Sequence, residues 1–256
     1  MSLTAVIITK NEAGNIQRCL SSLSFAAEQI VVDAGSTDNT AQLAAQLGAR
    51  VFVKPWTGYG PQKNFGLKQA NNEWLLFIDA DEEITPELAK EIIATINHPA
   101  RDLYWLRIIT IFLGRPLSHL SGHNLRLFKK DRGLWTDDAV HEQVKNKHGQ
   151  IIKLGDQRSF ILTAPLLHHS HPTIASHLKK IHRYTTLDAK QMQRTSRHRS
   201  GQSVKPSFFL PYRLALKQFV KLYFYRRGCL DGRAGFIWCL LSSYYEFEMA
   251  KKYLNL

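Results

Sequence analysis

The chain has 256 residues, 44% of them hydrophobic and 21% charged, enough for one large α/β domain or a domain with an appendage. Intrinsic disorder and fibrous repeats do not fit that composition, and no run of about 18 uninterrupted apolar residues is present to make a polytopic membrane protein. Residues 1–156 carry 17 Lys and Arg against 17 Asp and Glu, whereas residues 157–256 carry 17 against 4, so the whole excess of +13 is C-terminal. Cys19, Cys229 and Cys239 are odd in number and unrelated in spacing, which argues against a disulfide framework or a Cys-based zinc site. The opening MSLTAVIITKNE lacks a basic region, a long apolar core and a cleavage site, so a cytoplasmic location is expected.

In chain order, an apolar run Leu3 to Thr9 predicts a first strand, NIQRCLSSL a helix, and QIVVDAG from Gln29 a second strand. TAQLAAQLG predicts a helix ending at Gly48, RVFVK a third strand, residues 61–71 a further helix, and WLLFIDAD from Trp74 a fourth strand. Near-continuous apolar strands alternating with helices indicate βαβ units and a parallel sheet covered on both faces. Thr85 followed by Pro86 starts another helix; then come LYWLRIITIF, NLRLFKK, a polar region from Gly133 to Gly149, and a last strand near Phe160 to Leu167.

From about Pro172 helical periods dominate, with aromatic residues interleaved among Lys and Arg. Arg213, Lys217 and Lys221 recur four apart, hence on one helical face, with Leu216, Phe219, Val220 and Tyr223 elsewhere. SRHRSGQSVKPS, residues 196–207, reads as a mobile loop. Two units are expected: 1–171 and a basic helical region, 172–256.

In an open parallel sheet, ligands bind outside the carboxyl ends of the strands. Asn11 and Glu12 follow the first strand, Asp33, Gly35, Ser36 and Asp38 the second, and Asp79, Asp81 and Glu82 the fourth. No GxGxxG or GxxxxGK[ST] motif is present, so a dinucleotide fold or a P-loop lacks its phosphate-cradling glycines. Asp79 and Asp81, two apart at a strand end, can turn toward one hard cation such as Mg²⁺ or Mn²⁺ bridging a diphosphate; a solvated turn is the alternative. Asp33 can equally form an Asx turn, Asp38 suits the N-cap of the next helix, and Glu12 can cap the helix after it.

The order AVIITKNE, VVDAGSTDNT, QKNFGL, WLLFIDADE resembles the family-2 glycosyltransferases, enzymes of the GT-A fold that use nucleotide-diphosphate sugars. WTDDAVHEQV, LLHHSH with KKIHRY, and RRGCLDGRAG are similar to the bacterial lipopolysaccharide-core glucosyltransferases among them, which extends the resemblance over nearly the whole chain. It implies an α/β GT-A domain over 1–171, Rossmann-like with a mostly parallel sheet, with a nucleotide-binding part to about 90 and an acceptor part from about 91, followed by amphipathic C-terminal helices. It also implies nucleotide-sugar contacts from Asn11, Glu12, Asp33, Lys63 and Asp79, and a Mg²⁺ or Mn²⁺ ion on Asp81, with His168 as a further ligand. Glu142 would be the base of an inverting transfer, with Asp137 or Asp138 as fallback. Lys180 and Tyr184 match the family run and would touch phosphate or acceptor. Trp135 is either a sugar platform or a core residue, and His169, His171, His177 and His182 are surface or structural histidines.

The implied reaction moves a hexose, taken as glucose from UDP-glucose, onto a lipid-linked oligosaccharide, the lipopolysaccharide inner core, at the cytoplasmic face of the inner membrane. The basic aromatic tail would meet the membrane surface, and no nucleic-acid motif competes for it. The alternative is a non-catalytic regulator on the same fold that binds a nucleotide sugar or lipid.

Overall fold

The computed structural model describes residues 2–137, 142–156, 159–171 and 173–255. Every residue of strand β1 (Leu3–Thr9) is buried, and the pleat sends its side chains alternately into two cores. Leu3, Ala5 and Ile7 join Val31 and the odd-facing residues Leu76 and Ile78 under helices α1 (Ile16–Ser22), α2 (Thr40–Gln46) and α4 (Pro86–Asn97). Val6 and Ile8 join Ile30, Val32, Leu75 and Phe77 against Leu67 and Ala70 on the opposite face. That double coverage is why the strands read as unbroken apolar runs.

Strands β2 (Glu28–Asp33), β3 (Arg50–Val53) and β4 (Trp74–Asp79) complete a parallel half in the order β3-β2-β1-β4. All four strands lie where the apolar runs predict them. Helix α3 (Tyr59–Gln69) covers the second face two residues earlier than its period suggested. Beyond β4 the sheet continues through β8 (Gly122–Lys129) and β6 (Leu103–Phe112), paired antiparallel to their neighbours, to β11 (Ser159–His171) and β5 (Glu82–Ile84). A two-residue strand β7 (Arg115–Pro116) pairs with β6, and β9 (Leu134–Trp135) with β10 (Val144–Lys145) forms a small separate sheet.

Local capping follows the sequence in most places. Thr85 accepts a hydrogen bond from the Leu88 amide at 3.2 Å, with Pro86 in the first turn of α4. Gly48, just past α2, has φ +86°, the left-handed geometry a glycine tolerates without a Cβ penalty. Asp38 differs from expectation: Asn39 is the N-cap of α2, and Asp38 instead accepts from the Thr40 and Ala13 amides, tying two loops together.

The chain divides into two compact units, residues 1–108 with 122–168, and residues 109–121 with 169–256. Residues 109–121, which the sequence placed in the acceptor part, group with the helical unit. Phe112 and Leu117 are buried there with Ala234 against Ile237 and Trp238, and His119 donates its amide to Asp231. In that unit α5 (Ile174–Thr195), α6 (Leu210–Val220) and α7 (Gly232–Leu254) share a core of Met192, Leu210 and Met249. The stretch 196–207, expected to be a mobile loop, is tied down: buried Glu246 takes His198 Nε2 at 2.8 Å and Arg199 Nη2 at 2.6 Å. Among the described residues no helix is long and apolar enough to cross a membrane.

Candidate active site

Parallel register brings the strand ends to one edge. Thr9 pairs with Asp33 and Ile8 with Asp79, so the two aspartates flank the carboxyl end of β1 from either side. Asn11, in left-handed backbone at φ 56°, accepts from the Thr37 amide at 2.8 Å and donates its own amide to Ser36 Oγ at 2.8 Å. Glu12 donates its amide to Thr40 Oγ1 at 2.8 Å, while its carbonyl accepts the amides that begin α1. Asp33 is buried and forms the Asx turn, accepting from the Gly35 and Ser36 amides at 3.0 and 2.8 Å and from the Ser36 hydroxyl. Asn11 and Glu12 tie the β1 loop to the β2 loop, and Asp33 folds the β2 loop on itself.

Lys63 is not a solvated helix lysine. It is buried on α3, its ammonium 2.6 Å from Glu142 Oε1, 3.5 Å from Asp79 Oδ1 and 4.5 Å from the Trp135 ring centroid. Trp135 itself lies in the core, edge-on to Phe77 at 5.3 Å, and offers no open sugar platform. Asp137 is exposed, and Asp138 and His141 lie outside the described residues.

Strand β5 carries the fourth-strand carboxylates across the sheet, because its antiparallel register with β11 pairs Glu82 with His168. His168 Nε2 then stands 3.3 Å from Asp81 Oδ2. Burial pushes the His168 imidazole down, but the Asp81 hydrogen bond and the charges of Asp81, Glu82 and Asp79 prevail and raise it. A divalent cation fits the place of that shared proton. Asp79 Oδ1 is also buried without a hydrogen-bond donor, and carboxylate oxygen with imidazole nitrogen suits Mn²⁺ or Mg²⁺. Among the described residues no three His, Cys, Asp or Glu side chains are grouped to hold a metal by themselves, so oxygens from a bound diphosphate would complete the shell.

The family described as Glycosyl transferase family 2 matches residues 4–150, more than half of the chain. The chain belongs to glycosyl transferase family 2. The lipopolysaccharide core biosynthesis glycosyltransferase LpsC of Rhizobium meliloti is 30% identical, over 98% of this chain and 92% of LpsC. An uncharacterized glycosyltransferase of Rickettsia felis is 32% identical, over 96% and 87%. TarS of S. aureus superposes with a TM-score of 0.51 at 16% identity, over 94% of this chain and 55% of TarS, which shows a shared GT-A fold.

One residue of this family 2 glycosyltransferase site, Arg126, escaped the sequence reading, and Glu82 was named at the strand end without a role. Arg126, buried on β8, places Nη2 2.7 Å from Asp79 Oδ2 and 2.7 Å from Glu82 Oε1. Burial pushes the Asp79 carboxyl up, but the Arg126 guanidinium and the Lys63 ammonium outweigh it and hold the group well below the usual carboxylate range. Glu82 lies 1% exposed and accepts the Asp79 amide at 2.8 Å. Burial raises it to about 7, with the Asp79 charge adding to the rise against Arg126. Alternation gave no warning: an arginine between Leu125 and Leu127 reads as facing solvent, and only the strand order buries it against Asp79 and Glu82. His177, Lys180, His182 and Tyr184 all lie on α5, in the second unit, and His177 is buried as a structural histidine.

Proposed function

We propose that the protein is a metal-dependent inverting hexosyltransferase that moves glucose from UDP-glucose onto the inner core of lipopolysaccharide at the cytoplasmic face of the inner membrane. The observation that carries it is the run Asp81, His168, Asp79, Lys63, Glu142, which joins a candidate cation site to a candidate base at the ligand-binding edge of the sheet. The name of LpsC supports the lipopolysaccharide core as acceptor class, and a UDP-GlcNAc complex of TarS supports a UDP-sugar as donor class.

Asn11, Glu12 and Asp33 would line the nucleotide pocket, and Asp79 would stand near the ribose. Asp81 and His168 would hold the cation, which when bound neutralises charge on the departing diphosphate. In a single displacement the acceptor hydroxyl oxygen bonds to the anomeric carbon as the bond from that carbon to the diphosphate oxygen breaks. Glu142 takes the hydroxyl proton, and the electron pair leaves on UDP. Lys63 holds the Glu142 carboxylate in place by donating to Oε1.

The test measures thermal stabilisation by UDP, GDP, dTDP and CMP sugars with Mn²⁺, then transfer by Asp81→Asn and Glu142→Gln proteins. UDP-glucose should stabilise most, and each variant should lose on the order of 10²-fold or more in turnover while keeping its fold. Wild-type turnover in both variants would overturn the assignment of the site.

A further inference from the structure

The 26 residues from Lys205 to Leu230 hold six Lys and Arg and no Asp or Glu. The same stretch leaves its largest apolar groups in solvent: Phe208 is 75% exposed, Phe209 71%, Leu216 67%, Phe224 62% and Tyr225 82%. Within α6 only Leu210 and Pro211 are buried, and no residue of the π-helical turn that follows it, Lys221–Tyr225, is buried. The rings are neighbours. Phe208 lies 5.4 Å from Phe209, Phe219 stacks on Tyr223 at 5.2 Å, and Tyr223 meets Phe224 at 5.1 Å and Phe236 at 5.8 Å.

Tyr212, Leu216, Phe219 and Tyr223 recur at intervals of four, three and four, one helical stripe, and exposed Arg213, Lys217 and Lys221 recur four apart in a row beside it. At its end, a hollow of about 400 Å³ is lined by Tyr223, Phe236, Ile237 and Arg233, apolar walls with one cation. A soluble surface rarely keeps so long a contiguous apolar patch without a partner.

We propose that α6 and the π-helical turn form a docking face that seats in the headgroup layer of an anionic phospholipid bilayer. Phe208, Phe209, Leu216, Phe224 and Tyr225 would enter the acyl boundary, and the Lys and Arg row would meet lipid phosphates. Charge selects this occupant. A second copy of the chain would set six cations against six, whereas an anionic bilayer offers both the opposite charge and an apolar layer at one depth. Among the described residues no helix is both long and apolar enough to span a bilayer, so the face would lie in the headgroup layer rather than cross it. The inference deepens the reading of a lipid-linked acceptor and rests on it for the choice of membrane, though its evidence is this surface alone.

The test sediments the full chain with vesicles of phosphatidylcholine, with and without phosphatidylglycerol. Binding is expected only with phosphatidylglycerol and should weaken with salt. A Phe209→Ser, Leu216→Ser, Tyr225→Ser protein should bind about tenfold or more weakly, with unchanged melting temperature and unchanged UDP stabilisation. Absence of vesicle binding at low salt would overturn the proposal, as would wild-type binding by the triple variant. So would loss of self-association in that variant with vesicle binding intact, which would make the face a contact between copies. If vesicles bind but no UDP-sugar does, the transferase reading fails while docking stands; donor binding without vesicle binding fails docking alone.

Discussion

Arg126 sits 4% exposed between Asp79 and Glu82, and its charge is what allows a carboxylate to remain ionised at that depth. Arg126→Met would leave Asp79 with only Lys63 at 3.5 Å as a counter-charge, and breaking a buried pair from one side costs about 3–5 kcal/mol. Glu82→Gln is a different matter. With Glu82 raised to about 7, much of the population carries a proton there near neutrality, so losing the charge costs little; both oxygens accept hydrogen bonds, however, so the amide leaves one donor unpaired and should cost about 1–3 kcal/mol, less than the arginine variant. Urea unfolding midpoints check both: equal losses for the two variants would refute this division of charge. Neither role could be read from the sequence, because Arg126 meets Glu82 only through strand order, a non-local fact. Asp33 is the converse case, since its turn follows from DAGS alone and is what forms.

Helix α3 is the element that places Glu142. Gly60 lies so close to the small sheet that a Cβ there would stand 1.7 Å from the Thr136 carbonyl oxygen. One turn on, Asn64 grips the Trp135 backbone from both sides, its amide donating to the carbonyl at 2.9 Å and its oxygen accepting the N–H at 2.9 Å. Lys63 projects from the same turn to Glu142. In an isolated helix, glycine to alanine gains about 1 kcal/mol. Here the clash is with backbone, which cannot rotate away, so Gly60→Ala should lower the melting temperature and reduce kcat more than it raises the donor KM. A melting temperature at or above wild type would refute the contact. The parallel strands, α4 and its Thr85 cap were legible because their signals are local; the β5 and β11 pairing that brings His168 to Asp81 was not, since the two segments lie far apart in sequence and only register joins them.

Over the whole molecule, stability against pH sums groups of opposing sign. Glu28 and Glu246 are held below their ordinary range, burial in each being outweighed by hydrogen bonds and cations, so their contribution is present above the unfolded carboxylate range and is lost only as pH falls below it. Glu82, raised, works the other way and stabilises as pH falls from about 7. His177 acts in the same window against it. Its ring stacks on Trp238 at 5.1 Å with Phe112 edge-on at 6.0 Å, and burial, with the charge of Lys180, pushes it down to about 4. The unfolded chain takes that proton near 6.5, so the stability conferred by neutral His177 is complete above that value and declines as pH falls toward about 4. The opposed signs flatten the wild-type curve near pH 6, and a difference between proteins isolates the histidine. His177→Gln should be less stable than wild type at pH 8, where it forfeits the ring stacking, and the gap should narrow by about 1–2 kcal/mol by about pH 5. Urea unfolding of both proteins at the two pH values measures it, and a gap that stays constant would mean that His177 holds no depressed proton affinity in the folded chain.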